Sequence, residues 1–459
     1  MYLLTQTLAI TAALAPLSLH PKNQRVFEFQ GRPTLLITSG EHYGAVLNLD
    51  FDYVPYLDEL AKHGLNQTRT FSGTYREVPG SFGSKGNTLA PADGRYACPW
   101  ARSDQPGYRL GGNKFDLSKF DEAYFQRLRD FVAKAGERGI VVEYVLFCPF
   151  YNNDLWLANP MHVANNVNGI GAFPSGEAYT MAHADLQAVQ EAFVRKVVAE
   201  LNGFDNLYYE ICNEPYFGGV TLAWQKRIAQ VIVDTEAGLP KRHLIAQNIA
   251  NNDGRVDQPD PNVSIFNYHY AAPPVVVAQN WHLGKPIGFD ETGFAGSDDR
   301  TYRRQAWQFI LAGGSEFSNL DYSFTAAAES GTAKVDAPGG GSTAYRHQLG
   351  VLKRFVEGLD LLAAQPLPGA VSGPLDRGLA LYAFGVPGKA IGLYLHYDHG
   401  CDRDTALSLE LPAGTWRVDL VDVLTGDEKR AADIVSRGGA TAVIVPPVSV
   451  DLAVRLTKE

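Results

Sequence analysis

Runs of apolar, β-branched or aromatic residues bounded by polar turns recur eight times along the chain, at 34–38, 66–71, 140–147, 207–211, 244–247, 263–268, 286–289 and 316–322. Between most of them lie segments with apolar residues at helical spacing, at 120–134, 185–201, 222–235 and 302–311. Strands therefore alternate with helices. Eight such units predict an α/β protein built on a closed (β/α)8 barrel, spanning residues 1–365 with an N-terminal extension. Two connections, 72–116 and 148–184, are far longer than the others and rich in Gly, Pro, Asn and aromatic residues. On the C-terminal face of a barrel such loops form the walls of a cleft. A helical stretch at 345–362 closes the barrel, and Gln365-Pro366-Leu367-Pro368-Gly369 reads as a boundary. Beyond it, short alternating runs at 379–384, 391–397, 406–411, 415–423, 440–445 and 451–456 predict a small antiparallel β-sandwich over 366–459.

Length agrees with this division, because a barrel takes about 250 residues or more and the chain has 459. The 40 basic and 50 acidic residues give a net charge of -10, which argues against nucleic acid as a partner. Four cysteines, Cys98, Cys148, Cys212 and Cys401, form no CxxC pair, so they imply neither a zinc site nor a disulfide framework. The uncharged run 8–15 resembles a signal-peptide core, but no Lys or Arg precedes it and Pro16 follows its cleavage pattern. A retained segment packed on the folded protein is favoured over a cleaved one, and with it a cytoplasmic location. The run is also too short to span a membrane.

The candidate chemistry lies at two strand ends. Leu207-Tyr208-Tyr209-Glu210-Ile211-Cys212-Asn213-Glu214-Pro215 is a β-prone run that stops on Asn-Glu-Pro, and Pro286-Ile287-Gly288-Phe289-Asp290-Glu291-Thr292-Gly293 repeats the design. The C-terminal ends of barrel strands are where catalytic groups sit. Glu214 and Glu291 are 77 residues apart, the length of three strand-plus-helix units of about 25 residues, which places them on facing strands. Paired carboxylates suggest glycoside hydrolysis. Glu210 and Asp290 are competitors, but strand alternation sends adjacent side chains to opposite faces, so only one of Asp290 and Glu291 should point inward. His162 and His183 are too isolated to suggest a metal, and no phosphate-cradling glycine motif follows a predicted strand. No cofactor is expected.

These residues resemble the retaining glycoside hydrolases of the large (β/α)8-barrel clan that includes family five cellulases and mannanases, and among them the apiosidase-like and cellulase-like bacterial members with a C-terminal β-sandwich. The resemblance covers the whole barrel. It implies Glu214 of Asn213-Glu214-Pro215 as acid/base and Glu291 as nucleophile. It further implies that Arg69, in Gly64-Leu65-Asn66-Gln67-Thr68-Arg69, bonds the nucleophile, and that Asn267-Tyr268-His269-Tyr270 is the sixth-strand segment at the sugar site. Asn213 should donate to the sugar 2-hydroxyl. With Arg69 beside it, Glu291 should stay ionised, while Glu214, desolvated and further from positive charge, should hold its proton. His42, Tyr43, Trp156 and Trp281 are further candidates to line the site, and Arg76, Arg95 and Arg102 to read an acidic sugar. The third run ends in Phe147-Cys148-Pro149 without a histidine, and the eighth in Asn319-Leu320-Asp321-Tyr322 without a tryptophan; both departures bear on sugar specificity. The implied function is a retaining hydrolase of an oligo- or polysaccharide, with a silent carbohydrate-binding protein and a transglycosylase as alternatives.

Overall fold

A computed structural model describes residues 15–372, 375–448 and 450–459. The 8–15 run lies, except for Ala15, outside the described residues. All eight barrel runs form parallel strands: β1 (Leu36–Ile37), β2 (Gln67–Phe71), β3 (Val141–Val145), β4 (Leu207–Glu210), β5 (Ile245–Asn251), β6 (Ile265–His269), β7 (Ile287–Glu291) and β8 (Glu316–Phe317). They lie in the order β1-β8-β7-β6-β5-β4-β3-β2. The remaining seam, between β1 and β2, is closed by Asn66. Its backbone N–H donates to the Ile37 carbonyl at 3.3 Å, its side-chain oxygen accepts from the Ile37 N–H at 3.0 Å, and its amide donates to the Leu35 carbonyl at 2.8 Å.

Around the sheet run the helices α1 (Tyr53–Lys62), α2 (Glu122–Glu137), α3 (Ala184–Leu201), α4 (Leu222–Glu236), α5 (Val275–Gln279), α6 (Asp299–Leu311) and α7 (Thr343–Glu357), and a further short helix, Asn153–Leu157, lies in the second long connection. Several start on a side-chain cap, with Asp121 accepting from the Ala123 N–H, Asp298 from Arg300 and Ser342 from Tyr345. The span from Glu214 to Glu291 departs from the predicted three equal units. Residues 252–264 form no helix, because Pro259 and Pro261 break any run there, and α5 has only 5 residues. The first long connection carries an antiparallel hairpin, Trp100–Pro106 with Asn113–Phe120. A three-stranded sheet (Ser18–His20, Asn23–Phe29, Arg32–Thr34) seals the opposite end of the barrel, where Leu17, Phe27 and Phe29 pack on Leu36, Val141, Tyr208, Ala246 and Ile265.

The C-terminal strands form two antiparallel sheets, a larger one containing Leu379–Val386, Ala390–Tyr397, Gly414–Val421 and Asp451–Lys458, and a smaller one of Val371–Ser372, Thr405–Leu411 and Gly439–Val445. Between them lie Leu393, Leu395, Trp416, Val418 and Val454 against Leu407, Leu409 and Val443. Strand Gln365–Pro366, within the stretch read as a boundary, already pairs with Leu379–Val386. No helix among the described residues is long and apolar enough to cross a membrane.

The larger sheet packs on α6. Trp307 stacks on Tyr394 with ring centroids 5.1 Å apart, and Arg303 makes a two-pronged ion pair with Asp451 at 2.9 and 2.7 Å. Tyr394 adds a hydrogen bond to Asp451 at 2.7 Å. Breaking a buried pair from one side strands the other charge. Asp451→Ala is therefore expected to destabilise the protein by about 3–5 kcal/mol in urea unfolding, while Arg303→Met combined with Asp451→Leu recovers most of the loss; equal losses in the single and double variants would show that the pair has no such role.

Candidate active site

The barrel interior is polar. Inward positions two apart on the alternate strands β2, β4 and β6 carry Gln67 and Arg69, Tyr208 and Glu210, and Asn267 and His269, with Glu143, Asp290 and Glu316 beside them, all fully buried. Gln67 donates to Glu143 at 3.1 Å and, with Tyr208, to Glu316; Asn267 donates to Glu143 at 2.9 Å and to Asp290 at 3.0 Å. Arg69 stands above this layer. It donates to Glu210 at 2.6 and 2.9 Å, to Asn213 at 2.7 Å and to Glu291 at 3.2 Å, and it lies 3.6 Å from both Glu143 and Asp290. Tyr43 covers its face at 4.7 Å.

Glu291 and Glu214 meet at the C-terminal ends of β7 and β4. Their nearest oxygens and the Nδ1 of His269 all lie within 4.8 Å of one another. His269 Nδ1 is 3.3 Å from Glu214 Oε1 and 3.5 Å from Glu291 Oε1. Tyr270 donates to Glu291 at 2.7 Å, while Tyr151 and Tyr216 donate to Glu214 at 2.5 and 3.2 Å. The two carboxylates open into a pocket of about 410 Å³, walled by Tyr43, Glu77, Phe82, Tyr151, Phe217 and Phe294 among others. Backbone strain gathers here: Tyr43, Phe82, Glu214 and Tyr270 all line this pocket with φ between 37° and 66°, the left-handed region. Such conformations cost of order 1–3 kcal/mol each and concentrate at functional sites.

The electrostatics correct the expected proton assignment. Burial raises the Glu214 carboxyl, but the His269 hydrogen bond and charge, with Tyr151 and Tyr216, outweigh it and bring it down to about 2. Burial likewise opposes the charged form of His269, yet Glu291 and Asp290 hold its pKa well above the ordinary value. The arrangement therefore favours the charged imidazole of His269 beside an ionised Glu214. Sequence reasoning placed positive charge only beside Glu291 and missed the imidazole shared by both acids. In the layer below, burial pushes Glu316 up to about 8 and Glu143 well up, whereas Arg69 and His269 overcome burial to keep Asp290 low.

Asn213, Tyr270, His42 and Tyr43 line the pocket. Arg69, expected to bond Glu291, does so at 3.2 Å, and it and His269, expected at the sugar site, are both fully buried behind the carboxylates. Trp156 is buried against Phe150 and Phe173, its indole N–H donating to the Phe173 carbonyl at 3.0 Å. Trp281 precedes β7 and so sits at the far end of the barrel, under the Arg25 guanidinium at 4.1 Å. Neither tryptophan lines the pocket. Asp290 and Glu291 both point inward, against the alternation argument, because the ladder pairs Tyr268 with Phe289 but His269 with Glu291, making Asp290 the extra residue of a bulge. Arg76 is buried on the Pro91 carbonyl, Arg95 pairs with Asp50, and Arg102 lies over Phe115; none lines the pocket. At the third strand end Cys148 takes the place of a histidine, and at the eighth Leu320 lines the pocket while Asp321 turns to Arg346 at 2.6 Å. Sequence reading missed Tyr151, Tyr216 and Glu77; the only signal was that Tyr216 follows Asn-Glu-Pro directly.

No protein-family model matches the chain, and no curated protein matches it in sequence. Solved structures do match in fold. A putative glycoside hydrolase from Bacteroides vulgatus aligns with TM-score 0.70 at 14% identity, over 97% of this chain and 82% of that one. A structure described as a glycoside hydrolase aligns with TM-score 0.66 at 13% identity, over 97% of both chains. A family 5 glycoside hydrolase from Bacteroides vulgatus aligns with TM-score 0.64 at 12% identity, over 97% of this chain and 93% of that one. The chain shares their barrel and C-terminal sheets.

Glu316 supplies a pH test. Its folded pKa, about 8, lies above its ordinary value of 4.5, so the stability it permits is fully present below 4.5 and is lost as pH rises toward 8. In that window its contribution falls by up to about 1.4 kcal/mol per pH unit. Glu316→Gln is expected to flatten the stability profile between pH 5 and about 8, measured by chemical unfolding; an unchanged slope would mean that Glu316 is ionised in the folded state.

Proposed function

We propose that the protein is a retaining O-glycoside hydrolase. The observation that carries this reading is the carboxylate spacing. Oxygens of Glu214 and Glu291 lie within 4.8 Å of each other, which favours a retaining site, where the two carboxyl groups stand about 5–5.5 Å apart, over an inverting one, where they stand about 6.5–9.5 Å apart. The fold shared with the Bacteroides vulgatus structures supports the same reading.

In this scheme Glu291, oriented by Tyr270 and Arg69, attacks the anomeric carbon to form a glycosyl ester. Glu214 gives a proton to the leaving oxygen. That proton comes to it from His269, 3.3 Å away, as the substrate displaces water and weakens the ionised state of Glu214. Once Glu291 is esterified its negative charge is gone, the repulsion on Glu214 falls, and Glu214 is better placed to act as the base that activates water. Asn213 is held between Arg69 and Tyr151, at 2.7 Å from each, and that fixed amide is the group best placed for the sugar 2-hydroxyl.

Hydrolysis of a panel of aryl glycosides, with the product anomer followed by NMR, tests the proposal. The wild type should give retained configuration. Glu291→Ala should be inactive, and Glu214→Ala should lose about 10²–10⁴-fold with poor leaving groups and regain rate when azide is added. An inverted product, or full activity in Glu291→Ala, would show that the roles are wrongly assigned.

A further inference from the structure

Glu77 is the carboxylate in this pocket that the retaining mechanism leaves without a task. It is only 3% exposed, yet it lines the cavity that Glu214 and Glu291 open into. Its position is built rather than incidental. Its backbone N–H donates to the Leu89 carbonyl at 2.8 Å, Tyr75 donates to its Oε1 at 3.2 Å, Asn87 donates to its Oε2, and His42 Nε2 lies 3.8 Å from the same oxygen. Burial opposes the charged form of His42, but Glu77, Glu291 and Glu41 together raise its pKa above the ordinary value. The neighbouring Arg76 makes no ion pair with the Glu77 carboxylate: its guanidinium donates to the backbone carbonyls of Glu77 at 3.3 Å and Pro91 at 2.8 Å and lies over the Tyr96 ring at 4.8 Å.

Three carboxylates thus face one cavity whose lining holds no Lys or Arg; the positive groups nearest to it are His42 beside Glu77, and Arg69 and His269, which stand behind Glu291 and Glu214. Buried like charges repel an incoming anion strongly where water is scarce. A carboxylate already holding two donors still has lone pairs for two more, which suits adjacent sugar hydroxyls. The volume, about 410 Å³, is at the small end for ligand pockets and has room for roughly one or two sugar rings.

We infer that Glu77, braced by Tyr75, Asn87 and His42, reads the hydroxyls of the terminal sugar and restricts the pocket to an uncharged glycone. This rests on the glycosidase reading and adds to it the class of sugar and removal from a chain end. A uronic acid is excluded by the same charges that hold a neutral polyol.

The test compares 4-nitrophenyl glycosides of neutral sugars, of their mono-deoxy analogues and of the matching uronide, with wild type, Glu77→Gln and Glu77→Ala. The wild type should prefer the neutral sugar to the uronide by 100-fold or more in kcat/KM. Both variants should lose 10- to 100-fold on the intact sugar, yet stay within about 3-fold of wild type on the one deoxy analogue that lacks the hydroxyl read by Glu77. An equal loss on every analogue would make Glu77 a structural group, and comparable uronide cleavage by the wild type would overturn the charge argument. Calorimetric binding of the free neutral sugar and its uronate to the wild type needs no variant to fold: tight binding of the uronate overturns the proposal even if no glycoside is cleaved. Full activity in Glu291→Ala, by contrast, removes the mechanism while leaving the binding preference intact.

Discussion

One guanidinium organises the centre of this protein. Arg69 is fully buried, and Glu143, Glu210, Asp290 and Glu291 all lie within 3.6 Å of it. Arg69 and His269 cannot neutralise so many acids, so burial leaves some of them favouring the protonated form. Glu143 and Glu316 hold protons while Asp290 is kept ionised by Arg69 and His269. Burial raises Glu143, Glu210 and Glu316, whereas Arg69 and His269 hold Asp290 low and His269 holds Glu214 low. That division keeps the ionised acids next to the two cations. It also explains why an aliphatic core, the usual filling of such a barrel, is replaced here by a hydrogen-bonded one. Polar networks of this kind fix one geometry because every alternative leaves a buried charge unpaired.

The positions that strain and charge single out coincide. Glu214 leaves β4 with φ 37° and Tyr270 leaves β6 with φ 53°. Both therefore turn their side chains sideways into the mouth, where Tyr270 reaches Glu291 and Glu214 meets His269. The hydrogen bonds that these turns permit help to hold conformations that the backbone alone disfavours.

Much of this was legible in the sequence, and the limits have physical causes. The eight strands could be read because each is a short run between polar turns, and the two acids because each ends a strand. The helix expected between β5 and β6 was overruled by Pro259 and Pro261, a local signal that a count of residues ignores. Strand alternation failed at Asp290 because a bulge depends on the partner strand, which no single segment reveals. His269 was visible as a pocket candidate, but its place behind both acids arises from the closure of the barrel. Trp281 was misplaced for a simpler reason: it precedes its strand, and only residues that follow a strand reach the mouth. Glu77 lay in a long connection whose path is set by contacts such as Arg76 to the Pro91 carbonyl, not by periodicity.

The Arg303–Asp451 pair has a consequence for how the molecule comes into being. Arg303 follows directly from the strand that carries Glu291, but its partner is 148 residues further along the chain. During synthesis the guanidinium leaves the ribosome long before Asp451 can reach it, at a translation rate of about 5–20 residues per second. Until Asp451 arrives, α6 presents Arg303 and Trp307 to water, and the outer support of the β7 segment is incomplete. The two architectural parts are thus coupled in time as well as in space, and the barrel gains its finished outer face only after the second set of sheets has folded against it.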